Sequence, residues 1–228
     1  MNEVIVISGA THRAGVLDEY ERQLRAANVP FELEPYPALQ SGPDSVTMRL
    51  KHNFLKGLAS KYSQFTTIYN TDAYDVLFYG THEELIAKAP SKILFSAERN
   101  CYPESAHAYR IHGPGPWKYV NAGTLAANRE YLLKWLESIE NDGELDILDQ
   151  RWYNRRLADS RTEVVPLDYD TNIFYVVSGE LEDGALKIKD NRPWNESRGT
   201  FPNFLHFSGS TSNPDVIHYR LSLIGEMK

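Results

Sequence analysis

The feature that most constrains the fold is an alternation of buried-strand and amphipathic-helix patterns along the first half of the chain. Residues 4–7 form a continuous β-branched run, which is typical of a strand covered on both faces of a parallel sheet. Later strand patterns, rich in β-branched and aromatic residues, are 31–34, 66–78 and 92–98. Helical patterns begin between them near Val16, Ser45 and Thr81. This alternation predicts an α/β fold with a mixed, mostly parallel sheet and helices on both faces.

Length and charge exclude several classes of protein. The chain has 228 residues, which we interpret as a single domain covering 1–228, and its 42% hydrophobic and 24% charged residues are ordinary for a globular protein. A formal net charge of −7, with acidic residues spread along the chain, argues against a nucleic-acid-binding surface. Cys101 is the only cysteine, which excludes an internal disulfide and a thiolate zinc site.

No stretch of the sequence predicts a targeting segment or a membrane span. The apolar run near the N terminus is too short for a signal peptide. No other run approaches the about 20 apolar residues that are needed to cross a bilayer. We therefore expect a cytoplasmic protein.

Two carboxylates stand in the strand pattern 66–78. Asp72 and Asp75 lie three positions apart, directly after a buried β-branched and aromatic run. Carboxylates at the end of a buried strand cost free energy unless a positive charge accompanies them, so we expect a divalent cation there. Turns and helix caps also produce the Asp-x-x-Asp pattern freely, so the pair alone is a weak motif.

Other polar residues follow predicted strands. In α/β sheets ligands gather at the carboxyl ends of strands, and Thr11, Asp72 and Glu98 all lie near such ends. His206 follows a late strand pattern and would complete a site with Asp72 and Asp75. Two carboxylates and one imidazole suit Mn²⁺ or Mg²⁺ better than zinc. Taken alone, His206 fits a hydrogen-bonded structural histidine better than a ligand.

Two predicted helices carry candidate residues that also have structural explanations. The helix that begins near Ser45 has an apolar stripe formed by Leu50, Phe54, Leu58 and Tyr62. Lys51 falls outside this stripe and is expected to be a solvated charge. It would have a role in the site only if this helix borders the metal. Asp149 and Gln150 open a later helix, where Asp149 also complements the helix dipole.

The remaining segments predict short strands and two long loops. Strand patterns end at Gly123 and Pro166, and further short ones occur at 172–177, 185–188 and 204–210. Segments 101–117 and 189–202 are rich in Pro, Gly and polar residues and are predicted as irregular loops. Because ligand-binding residues are often on loops, we expect these two to contact the substrate. For segment 101–117, an ordinary irregular surface excursion stays open as the alternative.

Taken in chain order, several short segments resemble one known family. They are 70–76, 95–98 with Tyr102 and Pro103, 121–123, Asp149 with Gln150, and 206–209. Together they are similar to the glycosyltransferase domain of procollagen lysyl hydroxylases and related collagen-modifying glycosyltransferases, including giant-virus relatives. The resemblance covers essentially the whole chain and implies a GT-A fold, a UDP-hexose donor and Mn²⁺. We expect no hydroxylase domain in this chain.

The resemblance also implies roles for single residues. The positions that match metal ligands are Asp72, Asp75 and His206. The positions that match the nucleotide-lining turn, the uracil contact and the basic residue at the diphosphate are Thr11, Tyr74 and Lys51. The positions that fall where donor sugar and acceptor meet are Asn121, Asp149 and Gln150. The chain departs from the family after His206, where Phe207 and Ser208 replace the usual Gly and Asn, which weakens the expectation of phosphate contacts there.

These inferences predict a metal-dependent transfer of glucose or galactose from a UDP-sugar to a hydroxyl acceptor, with retained stereochemistry. A cation, Lys51 and the Gly209 backbone would stabilise the leaving diphosphate, and Asp149 would stabilise an oxocarbenium-like centre. Hydroxylysine or a glycosylated hydroxylysine is the acceptor that the family implies; a glycan or a small molecule stays open.

Two alternatives stay open beside this transferase. A sugar nucleotidyltransferase usually has a Gly-rich, basic N-terminal loop, and the segment 8–11 is short, with only Arg13 near it. A non-catalytic carbohydrate- or nucleotide-binding module would have no need of three metal ligands.

Overall fold

The computed structural model describes residues 3–10, 15–35, 47–104, 111, 114–159, 165–177, 185–208, 217–218 and 222. The strands are β1 Val4–Gly9, β2 Phe31–Glu34, β3 Thr67–Asp72, β4 Val76–Phe78, β5 Ile93–Glu98, β6 Tyr119–Asn128, β7 Leu167–Asp168, β8 Phe174–Val176, β9 Leu186–Lys189, β10 Arg192–Asn195 and β11 Phe204–His206. The helices are α1 Leu17–Ala26, α2 Met48–Lys61, α3 His82–Ala87, α4 Arg129–Ile139 and α5 Asp149–Ala158.

The central sheet has the strand order β2-β1-β3-β6-β5-β7. β1 pairs in parallel with β2 and β3, and β5 pairs in parallel with β7. β6 is antiparallel to both β3 and β5. The predicted mixed, mostly parallel sheet is therefore confirmed. Segment 119–123, predicted as the end of a strand, instead begins β6, and because β6 is reversed, its first residues lie at the same edge as the ends of β3 and β5.

Hydrophobic residues cover both faces of this sheet. Side chains alternate between the faces of a strand, and in β1 Ile5 and Ile7 join one core cluster while Val4 and Val6 join another. The first cluster includes residues of α2, α4 and α5, and the second includes residues of α1 and α3. The prediction of helices on both faces is confirmed.

The strand pattern 66–78 divides into β3 and β4, which belong to different sheets. β3 lies in the central sheet, whereas β4 is in a three-stranded sheet of order β4-β11-β8. β11 is antiparallel to β4 and parallel to β8. The residues between β3 and β4, which include Asp75, therefore connect the two sheets.

Helix α2 buries a different face from the predicted one. It begins after Thr47, whose side chain accepts a hydrogen bond from the Leu50 N–H at 3.4 Å. Its buried residues are Met48, Lys51, His52, Leu55, Leu58 and Ala59. Leu50 and Phe54 are only partly buried, so the predicted stripe is wrong by part of a turn. Lys51 lies on the buried face because nearby carboxylates compensate its charge.

Other local predictions have mixed outcomes. The capping box at Thr81 is confirmed, with reciprocal hydrogen bonds between Thr81 and Glu84. The predicted loop 189–202 is partly wrong, because β10 pairs antiparallel with β9 there. Most of the strand predicted to end at Pro166 lies outside the described residues, and β7 instead follows Pro166. None of the helices in the described part of the chain is long and apolar enough to cross a membrane.

Candidate metal centre

Two carboxylates and an imidazole meet at the edge of the central sheet. Asp72, Asp75 and His206 each offer a ligand atom, and these atoms all lie within 4.8 Å of one another. His206 Nε2 is 3.5 Å from Asp72 Oδ2 and 3.5 Å from Asp75 Oδ1. The structure thus brings together the three residues that the sequence predicts as metal ligands.

Strand pairing explains why residues so far apart in the sequence meet here. Asp72 is the last residue of β3, beside Gly9 at the end of β1. His206 is the last residue of β11 and pairs with Val76, which directly follows Asp75. The Phe207 N–H donates a hydrogen bond to the Asp75 carbonyl at 2.8 Å. Pairing in the central sheet therefore positions Asp72, and pairing in the three-stranded sheet positions Asp75 and His206.

Gly123 leaves the space that the side chains of His206 and Asp72 occupy. The β5–β6 pairing shifts register between Phe95 and Ser96, which leaves extra residues in β6. Gly123 lies in this irregular stretch, and a Cβ there would be 2.3 Å from His206 Cε1 and 2.4 Å from Asp72 Oδ2. Only a residue without a side chain fits between these two groups.

Charges within this cluster shift the pKa values of His206 and Asp72. Burial alone would lower the pKa of His206, but the charges of Asp75 and Asp72 raise it to about 9. Partial burial raises the pKa of Asp72, and so does the negative charge of Asp75. A cation is therefore favoured between these groups.

The donor set fits a hard divalent cation. Mn²⁺ and Mg²⁺ bind carboxylate oxygens and imidazole nitrogen at about 2 Å, so neighbouring ligand atoms are roughly 3 Å apart. The separations of 3.5 Å around His206 Nε2 need only a small contraction to reach this geometry. Asp72, with half of its side chain exposed, leaves an open side at which a ligand oxygen can bind.

Lys51 and Asp149 extend the site towards helices α2 and α5. Lys51 is 5% exposed and Asp149 8%. The positive charge of Lys51 lowers the pKa of both Asp72 and Asp149, so Lys51 lies within electrostatic reach of the two carboxylates. Burial is the larger effect on Asp149 and raises its pKa to about 6.

Asn121 and Gln150 meet around a buried carboxylate, that of Glu98. The Asn121 amide donates to Glu98 Oε2 at 3.4 Å, and the Gln150 amide donates to Glu98 Oε1. Asn121 Oδ1 in turn accepts from the Gly123 N–H at 2.9 Å, next to the metal ligands. From the sequence, Glu98 is predicted only to lie near the end of a strand. Its contacts with the two amides depend on how β5, β6 and α5 pack together.

The structure describes some of the predicted nucleotide-binding residues but not others. Tyr74 is partly buried between β3 and β4, and its carbonyl accepts from the Val16 N–H at 3.0 Å. Gly15, with φ +60°, allows this approach, because a Cβ there would be 1.9 Å from the Tyr74 carbonyl oxygen. Thr11 and Gly209 lie outside the described residues, and their roles stay predictions, as do those of the other site residues.

The fold is the GT-A fold of glycosyltransferases, as two solved structures show. The galactosyltransferase LgtC, solved in complex with donor and acceptor sugar analogues, matches with a TM-score of 0.55 and 14% identity, covering 97% of this chain and 95% of that one. A glycosyltransferase involved in glycosylation of the major capsid of PBCV-1 matches with a TM-score of 0.54 and 12% identity, covering 96% and 99%. At these identities the likeness concerns the fold alone.

Sequence comparison then identifies the family. The model of the PLOD glycosyltransferase (GT) domain matches residues 1–214, so the chain belongs to the PLOD glycosyltransferase-domain family. The multifunctional procollagen lysine hydroxylase and glycosyltransferase LH3 of Homo sapiens is 30% identical over 177 residues, covering 71% of this chain and 23% of that protein. Procollagen-lysine,2-oxoglutarate 5-dioxygenase 1 of Gallus gallus is 30% identical over 173 residues, covering 72% and 23%. The chain thus matches about a quarter of these relatives' length.

We expect Gly123→Ala to weaken metal binding by at least about tenfold, because the new Cβ would push against the buried His206 ring and the Asp72 carboxylate. A titration followed by Mn²⁺ electron paramagnetic resonance measures the effect. Gly57→Ala is the matched control: a Cβ there meets no atom within 4 Å, and alanine in α2 should add about 0.5–1 kcal/mol of stability. Wild-type Mn²⁺ affinity in Gly123→Ala would contradict the proposed packing.

We expect Asp149→Asn to stabilise the fold at pH 8. The folded-state pKa of about 6 lies above the ordinary value of 3.8, so the folded protein holds the proton more tightly than the unfolded chain. Ionised Asp149 therefore destabilises the fold, by on the order of 2–3 kcal/mol above pH 6, and the penalty disappears as the pH falls towards 4.

Chemical denaturation at pH 8 and at pH 4.5 measures this difference. The gain in the free energy of unfolding should be large at pH 8 and much smaller at pH 4.5. Asp146→Asn serves as control, because the pKa of Asp146 is lowered by its hydrogen bond to Arg49, so this variant should gain nothing at either pH. An equal gain at both pH values in Asp149→Asn would show that its charge is not the cause.

Proposed function

We propose that the chain transfers glucose or galactose from a UDP-sugar to a hydroxyl acceptor, with Mn²⁺ or Mg²⁺ bound and with retention of donor stereochemistry. The observation that carries the proposal is the convergence of Asp72, Asp75 and His206 at one sheet edge, within 4.8 Å. A glycosyltransferase-family domain with a clustered set of hard ligands suits a donor whose leaving group is a diphosphate.

The diphosphate leaving group is the reason for a cation at this edge. When the glycosidic bond to UDP breaks, negative charge develops on the departing phosphate oxygen. A divalent cation held by Asp72, Asp75 and His206 would supply positive charge that stabilises this oxygen. Lys51, buried on α2 and within electrostatic reach of Asp72, adds a fixed second charge on the same side.

Asp149 is suited to stabilise the positive charge that develops on the donor sugar. The anomeric carbon gains oxocarbenium character as the leaving group departs, and a nearby carboxylate stabilises it. The Asp149 carboxylate is held by the Gln150 N–H at 2.7 Å and is shielded from water. Shielding strengthens its field, because the surrounding dielectric is lower than that of bulk water.

A hydroxylysine side chain in a peptide, bare or already glycosylated, is the acceptor that we propose. Support comes from the relatives LH3 and procollagen-lysine,2-oxoglutarate 5-dioxygenase 1, whose names identify procollagen lysine as their target. The amides of Asn121 and Gln150, both bound to Glu98, are proposed to orient the sugar and the acceptor hydroxyl. Their fixed positions reduce the entropy lost on reaching the reactive geometry.

We expect Asp75→Ala to lower metal-dependent UDP release from UDP-glucose or UDP-galactose by at least about a hundredfold, because losing the cation removes several kcal/mol of stabilisation. A coupled UDP assay with and without Mn²⁺ checks it. Asp146→Ala removes a carboxylate that is 71% exposed and paired with Arg49, and it should keep the wild-type rate. Full turnover in Asp75→Ala would refute the metal assignment.

We expect kcat/KM at saturating metal to fall about tenfold per pH unit below pH 6, because Asp149, with a pKa raised to about 6 by burial, must be ionised. In Asp149→Asn the rate should be low at every pH and should lack this acid limb. A pH series of initial rates, with folding verified by circular dichroism at each pH, tests the assignment. An unchanged acid limb in Asp149→Asn would assign it to another group.

A further inference from the structure

A second site lies outside the metal centre, between two segments that sequence reasoning associated with the substrate. An open cavity of about 610 Å³ lies between residues 114–117 on one side and 196–198, just after β10, on the other. This volume lies within the range of ligand-binding cavities. Asp72, Asp75 and His206 are not among the described residues that line it.

Two arginines, Arg99 and Arg198, line this cavity. The guanidinium carbon of Arg99 is 5.5 Å from the centre of the Trp117 ring, and that of Arg198 is 5.6 Å from it. Glu196 also lines the cavity, but Lys187 balances its charge at 2.6 Å. Among the described residues that line the cavity, two cationic side chains, Arg99 and Arg198, therefore stand beside one carboxylate, Glu196.

The Arg198 guanidinium is held in place before any ligand binds. It donates to the Pro114 carbonyl at 3.4 Å, and a Cβ on Gly115 would be 2.2 Å from Nη2, so Gly115 leaves it room. Asp170 is 3.8 Å from Nη1, but its side chain is 74% exposed, which makes it a weak partner. A guanidinium fixed in this way loses little entropy when it binds a carboxylate.

Neighbouring residues connect the cavity with the candidate active site. Arg99 directly follows Glu98, which holds the amides of Asn121 and Gln150. The Trp117 ring also contacts the Tyr175 ring at 5.8 Å, and Tyr175 pairs with Leu205, the residue before His206. An acceptor lying across this edge would therefore reach the cavity and the metal centre together.

We propose that this cavity binds an acidic side chain of the acceptor peptide, close in sequence to the hydroxyl that receives the sugar. The inference rests on the proposed function, since it names a feature of that function's acceptor. Arg99 and Arg198 present two planar guanidinium groups, and such groups bind carboxylates by paired, charge-assisted hydrogen bonds. Neutral peptides lack this interaction and bind less tightly.

Binding of matched peptides tests the proposal. The probes are hydroxylysine peptides with glutamate placed in turn at each flanking position, and twins with glutamine there. Calorimetry in the presence of UDP and Mn²⁺ should show at least one glutamate peptide binding about tenfold more tightly than its twin. Arg198→Gln should abolish this preference and Arg99→Gln should reduce it, with melting temperatures showing that both variants fold.

Arg22→Gln is the charge-matched control, because Arg22 is 67% exposed and pairs with Glu19 on α1; it should keep the preference. Equal affinities within all pairs, no binding of any peptide, or a preference that persists in Arg198→Gln would overturn the proposal. UDP release without acceptor, measured on the same preparations, tests the proposed function separately. Metal-dependent release with equal peptide affinities would refute the acidic-acceptor inference alone.

Discussion

The antiparallel pairing of β11 with β4 is the contact on which the candidate site depends. It places His206 opposite Val76 and brings the imidazole to Asp75. Packing of Phe204 against Phe78, with ring centres 5.1 Å apart, supports the pairing from inside the core. The hydrophobic core therefore fixes the distance between candidate ligands that are remote in sequence, and apolar burial offsets the entropy cost of closing this long loop.

The same arrangement concentrates charge that opposes folding. Glu98 and Asp149 are buried, and Asp72 and Asp75 lie beside them at the sheet edge. Lys51 and His206 offset part of this negative charge: the pKa of His206 is raised to about 9 because the Asp75 and Asp72 carboxylates outweigh the lowering by burial. A cation that binds only the folded state adds to its stability. Charge that destabilises the folded domain would thus be the source of the metal affinity that we propose.

Local patterns predicted some parts of this molecule well and missed others. The alternation of elements, the capping box at Thr81 and the clustering of Asp72, Asp75 and His206 follow from residue types and spacing, with the family resemblance bringing in His206. The division of segment 66–78 between two sheets was missed, since it depends on β11, which is distant in sequence. The buried face of α2 was also missed, because an apolar stripe gives Lys51 no place inside; its burial depends on Asp72 and Asp149, which other elements supply.

Two kinds of scaffold carry the two parts of the site. The proposed metal ligands are at or beside the ends of strands, where backbone pairing limits their movement. The cavity is walled by irregular segments around Trp117 and Arg198, whose contacts are made by side chains and single carbonyls. Rigid strands suit the chemistry, because a cation and a leaving diphosphate need fixed distances. Irregular segments suit acceptor recognition, since a peripheral side chain such as Arg198 can change without disturbing the β4–β11 pairing.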